Sequence, residues 1–172
     1  YLQKDNISKA KNVIQTDMYQ SLMIFMHDFA LMISRDLHSV SIESLELKLY
    51  HLNQAFNVDY LYPHLSINCY YQFALYYTEK SDSRSIDYLK KFCKCFEYLV
   101  SDFVYQKDDF FNEIDEWLDT LALGERLPAN YENTLSVIYS LVSENERFNT
   151  LENFKYIKKD LLRIYNKKDE SN

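Results

Sequence analysis

Apolar residues recur at intervals of three and four positions along nearly the whole chain, which is the spacing of one face of a helix. The pattern predicts seven helical segments. Their approximate bounds are 7–37, 42–56, 60–79, 84–105, 108–123, 131–143 and 149–165. Most connections between them are short, and short connections favour antiparallel neighbours. We therefore expect an all-α fold of antiparallel helical hairpins, stacked as a repeat-like array or a bundle.

Several residues mark the ends of these segments. Ser41 is a good N-cap for the second helix, and Pro63 suits the first turn of the third. Gly124 is a natural C-terminal residue for the fifth, and Asn149 to Glu152 has the form of a capping box for the seventh. We expect one domain over residues 1–165 and a charged, frayed tail over 166–172. Because the chain begins with Tyr1 rather than Met, we also expect a domain upstream of it.

The composition excludes several classes of protein. The single glycine, Gly124, cannot supply the tight turns of a sheet protein or the glycine-rich loops that bind phosphate groups. The net charge of −7 argues against direct nucleic-acid contact, which requires a basic face. The apolar stretch from Leu22 to Ile33 is too short to cross a membrane, which takes about 20 residues. We expect a cytoplasmic protein.

No group of residues has the spacing of an active site or a metal site. Cys93 and Cys95 point to different faces of a helix, and the three cysteines are interpreted as buried thiols of a reducing compartment. The four histidines have no ligand spacing, and the carboxylates of residues 108–119 are interpreted as a solvated face. We therefore predict a binding protein that is not an enzyme and uses no cofactor and no metal.

Residues 64–98 carry the most specific local pattern. Large and small side chains alternate as expected for two helices that pack closely, with a polar turn near residues 81–83 between them. The positions concerned are Tyr70, Phe73, Ala74 and Tyr77 before the turn, and Ser85, Leu89 and Phe92 after it. Ala74 and Ser85 are small where the two helices must approach each other. This stretch resembles one tetratricopeptide-like hairpin, although Phe92 stands where that family prefers alanine.

With its acidic charge and its lack of glycine, the domain resembles the helical-repeat sensor halves of Gram-positive transcription regulators of the Rgg, PlcR and PrgX type. In those proteins the repeats bind a short signalling peptide and dimerise beside a helix-turn-helix domain. The resemblance implies a peptide-sensing, dimerising regulatory domain that acts as a homodimer. The alternative is a phage- or plasmid-type helical protein that binds and modulates another protein directly.

Two surfaces are candidates for partner binding. The second face of the 60–79 helix combines amide, aromatic, apolar and hydroxyl groups that suit peptide recognition; its members are Asn68, Tyr71, Leu75 and Thr78. All four methionines lie in the first helix, where flexible thioethers could line a groove or a dimer surface; they are Met18, Met23, Met26 and Met32. Core packing is the alternative for the methionines, and a merely tyrosine-rich surface is the alternative for the first set.

Overall fold

The computed structural model describes residues 4–34, 40–101, 108–120 and 131–167. Within these ranges the chain forms eight α-helices, two 3-10 helices and no strand, which confirms the all-α fold. The α-helices are α1 Lys4–Ser34, α2 Ile42–Phe56, α3 Val58–Leu61, α4 Pro63–Glu79, α5 Arg84–Ser101, α6 Asp115–Thr120, α7 Tyr131–Ser143 and α8 Phe154–Asn166. The 3-10 helices are Asp109–Ile114 and Glu146–Thr150.

The predicted ends of α2 and α4 are confirmed, and one further break appears between them. The hydroxyl of Ser41 accepts a hydrogen bond from the Ser44 amide, and Pro63 occupies the first turn of α4. Asn57 has a left-handed backbone conformation (φ 50°) that ends α2. This conformation is tolerated by asparagine better than by most residues. The sequence pattern had merged the short helix α3 with α4.

Helices α4 and α5 form the predicted antiparallel hairpin. Ala74 and Ser85 are both fully buried, and the Ser85 hydroxyl donates a hydrogen bond to the Ala74 carbonyl over 2.9 Å. Near the turn, the rings of Tyr77 and Tyr88 stack with centroids 5.8 Å apart. The small residues therefore lie at the close approach of the two helices, as the alternation of sizes predicted.

Two segments differ from the prediction. Residues 109–114 form a 3-10 helix rather than the start of an α-helix, and in it Phe111 is buried and Phe110 is exposed. The capping box at Asn149 is wrong, because residues 146–150 are a 3-10 helix and α8 begins only at Phe154. Gly124 lies outside the described residues, as do the predicted ends of the first, fourth and fifth segments.

Buried side chains from α1 through α8 form one hydrophobic cluster centred on the α4–α5 hairpin. Helix α1 packs against α4 and the first 3-10 helix, while α8 packs against α5 and α7. In the described part of the chain, no helix combines the length and the apolar character that crossing a membrane requires.

Candidate functional site

A cleft of about 250 Å³ lies between α2 and the outer side of the α4–α5 hairpin. Its floor is apolar, from Leu49 and Phe73, and its walls carry carboxylate, amide, phenol and ammonium groups. The polar and aromatic wall residues are Glu46, Tyr50, Asn53, Gln54, Asp59, Tyr70, Tyr88, Lys91 and Lys94. An apolar floor with a few convergent polar groups is the usual character of a ligand site.

The break at Asn57 builds one wall of this cleft. It folds α3 back so that Asn53 and Asp59 exchange hydrogen bonds: the Asn53 amide donates to the Asp59 carboxylate, and its oxygen accepts from the Asp59 backbone, both over 3.0 Å. The phenol of Tyr70 donates to the same carboxylate over 2.8 Å. Burial, together with the Asp59 charge, raises the pKa of Tyr70 and keeps it a donor. This wall is rigid and internally satisfied.

The opposite wall contains the carboxylate of Glu46. One of its oxygens lies 3.8 Å from the Arg84 guanidinium, and the other is buried. Burial and then a hydrogen bond to the Glu46 carboxylate raise the pKa values of Tyr77 and Tyr88, so both phenols stay neutral donors beside it. A carboxylate accepts through about four lone-pair sites, so a donor group of a bound ligand could share it with these phenols.

Two lysines lie at the opening of the cleft. The ammonium group of Lys91 is 4.8 Å from the centre of the Tyr88 ring and 5.5 Å from that of Tyr70, both cation–π distances. Lys94 lies one turn further along α5 and is exposed. The cleft therefore has carboxylates deep inside and ammonium groups at its rim, so it can bind donors and acceptors of one ligand together.

The predicted face of α4 lies against another part of the chain. Asn145 donates a hydrogen bond to the Tyr71 phenol over 3.1 Å, and the Tyr71 ring meets Phe148 edge to face at 6.1 Å. The Thr78 hydroxyl donates to the Ala74 carbonyl over 2.7 Å, and Leu75 is half-buried against the core. Of the three polar residues among the four, Asn68 alone makes no side-chain hydrogen bond within the described residues, and it is half-buried. Ligand binding at this face stays a prediction.

The four methionines divide between the core and the surface. Met26 is fully buried and Met23 is half-buried against the core, whereas Met18 and Met32 are exposed. Core packing therefore explains Met23 and Met26, whereas the surface interpretation applies to Met18 and Met32.

The other candidate chemistry has a structural explanation. All three cysteines are buried free thiols, and burial raises the pKa of Cys69 and of Cys93 to about 12. Reactive cysteines instead need a lowered pKa. The Glu113 carboxylate accepts a hydrogen bond from Ser8 and lies 3.8 Å from the Lys11 ammonium, so it attaches α1 to the first 3-10 helix. Among the described residues, no cluster of side chains could hold a metal ion.

Sequence reasoning missed the cleft because its residues come together only through the left-handed turn. Asn53 and Asp59 are six positions apart and would not share a helix face in a continuous helix. The one available signal was Asn57, which follows the last apolar residue of α2 and is a common residue in left-handed positions. Comparison with protein-family models, curated proteins and solved structures found no match to this chain.

Proposed function

We propose that this chain is a ligand-binding regulatory domain, the peptide-sensing part of a transcription regulator, and that the peptide binds in the α2–α5 cleft. The observation that carries the proposal is the part-buried Glu46 carboxylate, which lines the cleft together with the ammonium groups of Lys91 and Lys94. An amino group or backbone N–H of a peptide would donate to this carboxylate. The hydrogen bond would be charge-assisted and therefore strong.

The remaining groups of the cleft suit the rest of a peptide backbone. The amide side chain of Gln54 can both donate and accept, and peptide carbonyls can accept from Lys91 at the rim. The aromatic rings of Tyr50 and Tyr88 offer contact area at low entropic cost. With about 250 Å³, the cleft is smaller than most sites for drug-sized ligands, so it would enclose one or two residues of a peptide.

A binding role fits the cleft better than a catalytic one. The Tyr70 and Tyr88 phenols have raised pKa values and stay protonated, and the Asp59 carboxylate is already saturated with hydrogen bonds. Nucleophilic catalysis needs an activated nucleophile next to a base. Fixed donors and acceptors around the Glu46 carboxylate instead favour recognition.

The test is selection of peptides on the purified chain from a displayed library of random short peptides. Enriched peptides are then labelled, and their affinity for the wild type and for Glu46→Gln is measured by fluorescence anisotropy. Loss of the carboxylate should weaken binding at least about tenfold, because a buried charged hydrogen bond is lost. Glu43→Gln, one turn earlier on α2 and exposed, is the matched control and should bind within about twofold of the wild type.

Two results would contradict the proposal. One is the absence of any peptide enriched above a control protein. The other is equal binding by the wild type and Glu46→Gln, which would place the peptide elsewhere. In that case Asn68→Ala decides whether the α4 face is used instead, since Asn68 is the one polar residue predicted there with no internal hydrogen bond in the described structure.

A further inference from the structure

Helix α1 exposes far more apolar surface than the other helices. It is 31 residues long, about 46 Å at the usual helical rise. Eight of the sixteen exposed large hydrophobic residues of the described chain belong to it: Ile7, Val13, Ile14, Met18, Ile24, Phe25, Leu31 and Met32. Contiguous exposed apolar surface on this scale is a mark of an interaction site.

The orientation of α1 on the domain is fixed by specific contacts. Its inner side buries residues such as Tyr19 and Met26, and the Tyr62 phenol donates to the Tyr19 carbonyl over 2.9 Å. The Gln15 side chain donates to the Phe110 carbonyl and accepts from the Glu113 amide, each over 2.8 Å. Because of these contacts, α1 cannot bury its outer face by rotating against the same domain.

One exposed stripe of α1 has the spacing of a helix–helix seam. Its eight positions are separated by alternating intervals of four and three residues, as in the a and d positions of a coiled coil. They are Ile7, Lys11, Ile14, Met18, Ser21, Phe25, Asp28 and Met32, and all are exposed. The stripe is mostly apolar, with one cation near one end and one anion near the other.

The stripe is complementary to itself when reversed. A two-fold axis level with the midpoint between Tyr19 and Gln20 relates the two copies of α1. Each residue of the stripe then faces the residue of the second copy that lies equally far from this axis in the other half of the helix. The facing pairs are Ile7 with Met32, Lys11 with Asp28, Ile14 with Phe25, and Met18 with Ser21. The only cation thus meets the only anion, twice in one interface. A parallel arrangement would instead place like charges side by side.

We propose that this stripe is the interface of a homodimer, in which α1 packs antiparallel against α1 of a second copy. The match of Lys11 with Asp28 selects this occupant, since an isologous contact requires that each surface complement its own copy. Lys11 already lies 3.8 Å from Glu113, while among the described residues Asp28 pairs only with the neighbouring His27, at 3.4 Å. The dimer does not depend on the α2–α5 cleft or on any peptide.

The primary test is the molar mass of the purified chain by sedimentation equilibrium, without any ligand. We expect a concentration-dependent dimer for the wild type. Ile14→Glu should weaken it at least about tenfold, because a buried charge then replaces an apolar contact that occurs twice. Val13→Glu is the matched control: Val13 is 60 % exposed, against 58 % for Ile14, but lies about a quarter turn away from the stripe. It should dissociate within about threefold of the wild type.

Charge reversal tests the orientation. Asp28→Lys alone should weaken the dimer several-fold, because two lysines then face each other. Adding Lys11→Asp to Asp28→Lys should restore the dissociation constant to within about threefold of the wild type, while circular dichroism confirms that both variants stay folded. A monomeric wild type, equal loss in Val13→Glu and Ile14→Glu, or no restoration in the double variant would each overturn the proposed interface.

Discussion

The α4–α5 hairpin and helix α1 are both rich in apolar residues, but only the hairpin buries them. None of the exposed large hydrophobic residues of the described chain lies in Pro63–Glu79 or Arg84–Ser101, whereas half of them lie in α1. The composition of the hairpin is therefore explained by its own packing. Packing explains the composition of α1 only in part, because the helix contains more apolar residues than its inner face buries.

The difference shows how a stabilising surface can be separated from a binding surface in a chain without glycine-rich or catalytic motifs. Apolar residues that are buried in the isolated domain, such as Phe92, stabilise the fold. Apolar residues that remain exposed at regular spacing on a fixed helix, such as Phe25, are available to a partner. Substitutions of the buried residues should lower the stability of the fold. Substitutions of the exposed residues should weaken association and leave the stability of the monomer nearly unchanged.

The largest expected effect on folding comes from Phe92→Ala. Phe92 is fully buried in the hairpin, so its truncation should lower the free energy of unfolding by about 3–5 kcal/mol. Phe25→Ala, on the exposed face of α1, should change it by less than about 0.5 kcal/mol at concentrations where the chain is monomeric. Urea denaturation at low protein concentration measures both. Similar losses of unfolding free energy in the two variants would contradict the distinction between the buried hairpin and the exposed face of α1.

A smaller effect is expected from Ala74→Leu. The Ala74 side chain lies where α4 approaches α5 most closely, and extra methyl groups there should overpack the crossing and destabilise it by about 1–3 kcal/mol. Ala55→Leu makes the same change at an exposed position of α2 and should be nearly neutral. If Ala74→Leu unfolds at the same urea concentration as the wild type, the hairpin is not close-packed at Ala74.

The smallest folding effect is expected from Tyr62→Phe, which removes one buried hydrogen bond between the start of α4 and α1. The loss should be about 0.5–1.5 kcal/mol, the net contribution of such a bond. Tyr156→Phe, at an exposed position of α8, is the control and should show no change. An unchanged stability in Tyr62→Phe would mean that this hydrogen bond makes no net contribution to the attachment of α1.

The hairpin could be predicted from sequence because its signal is local. The spacing of Tyr70, Ala74 and Tyr77 defines one face over two helical turns, and the burial of all three confirms it. The 3-10 helix Asp109–Ile114 could not, since Phe110 and Phe111 lie four and three residues before Ile114, and both spacings are compatible with a shared helix face.

The candidate sites were harder to predict for two physical reasons. The cleft depends on one left-handed residue, Asn57, whose conformation brings distant side chains together. The division of the methionines depends on which side of α1 meets α4, and a helix that is apolar on most sides does not specify this by its pattern. Tertiary contacts were therefore needed to separate Met26 in the core from Met18 on the surface.

The most direct test of the central claim, an antiparallel α1–α1 interface, is disulfide cross-linking between two single-cysteine additions. Lys11→Cys and Asp28→Cys proteins are oxidised separately and as a mixture, and the products are separated on a non-reducing gel. The three native thiols are buried, so the wild type supplies the background. The proposed interface predicts a cross-linked dimer in the mixture and little in either protein alone. Efficient cross-linking of either protein with itself, or no more cross-linked dimer in the mixture than in the separate proteins, would contradict it.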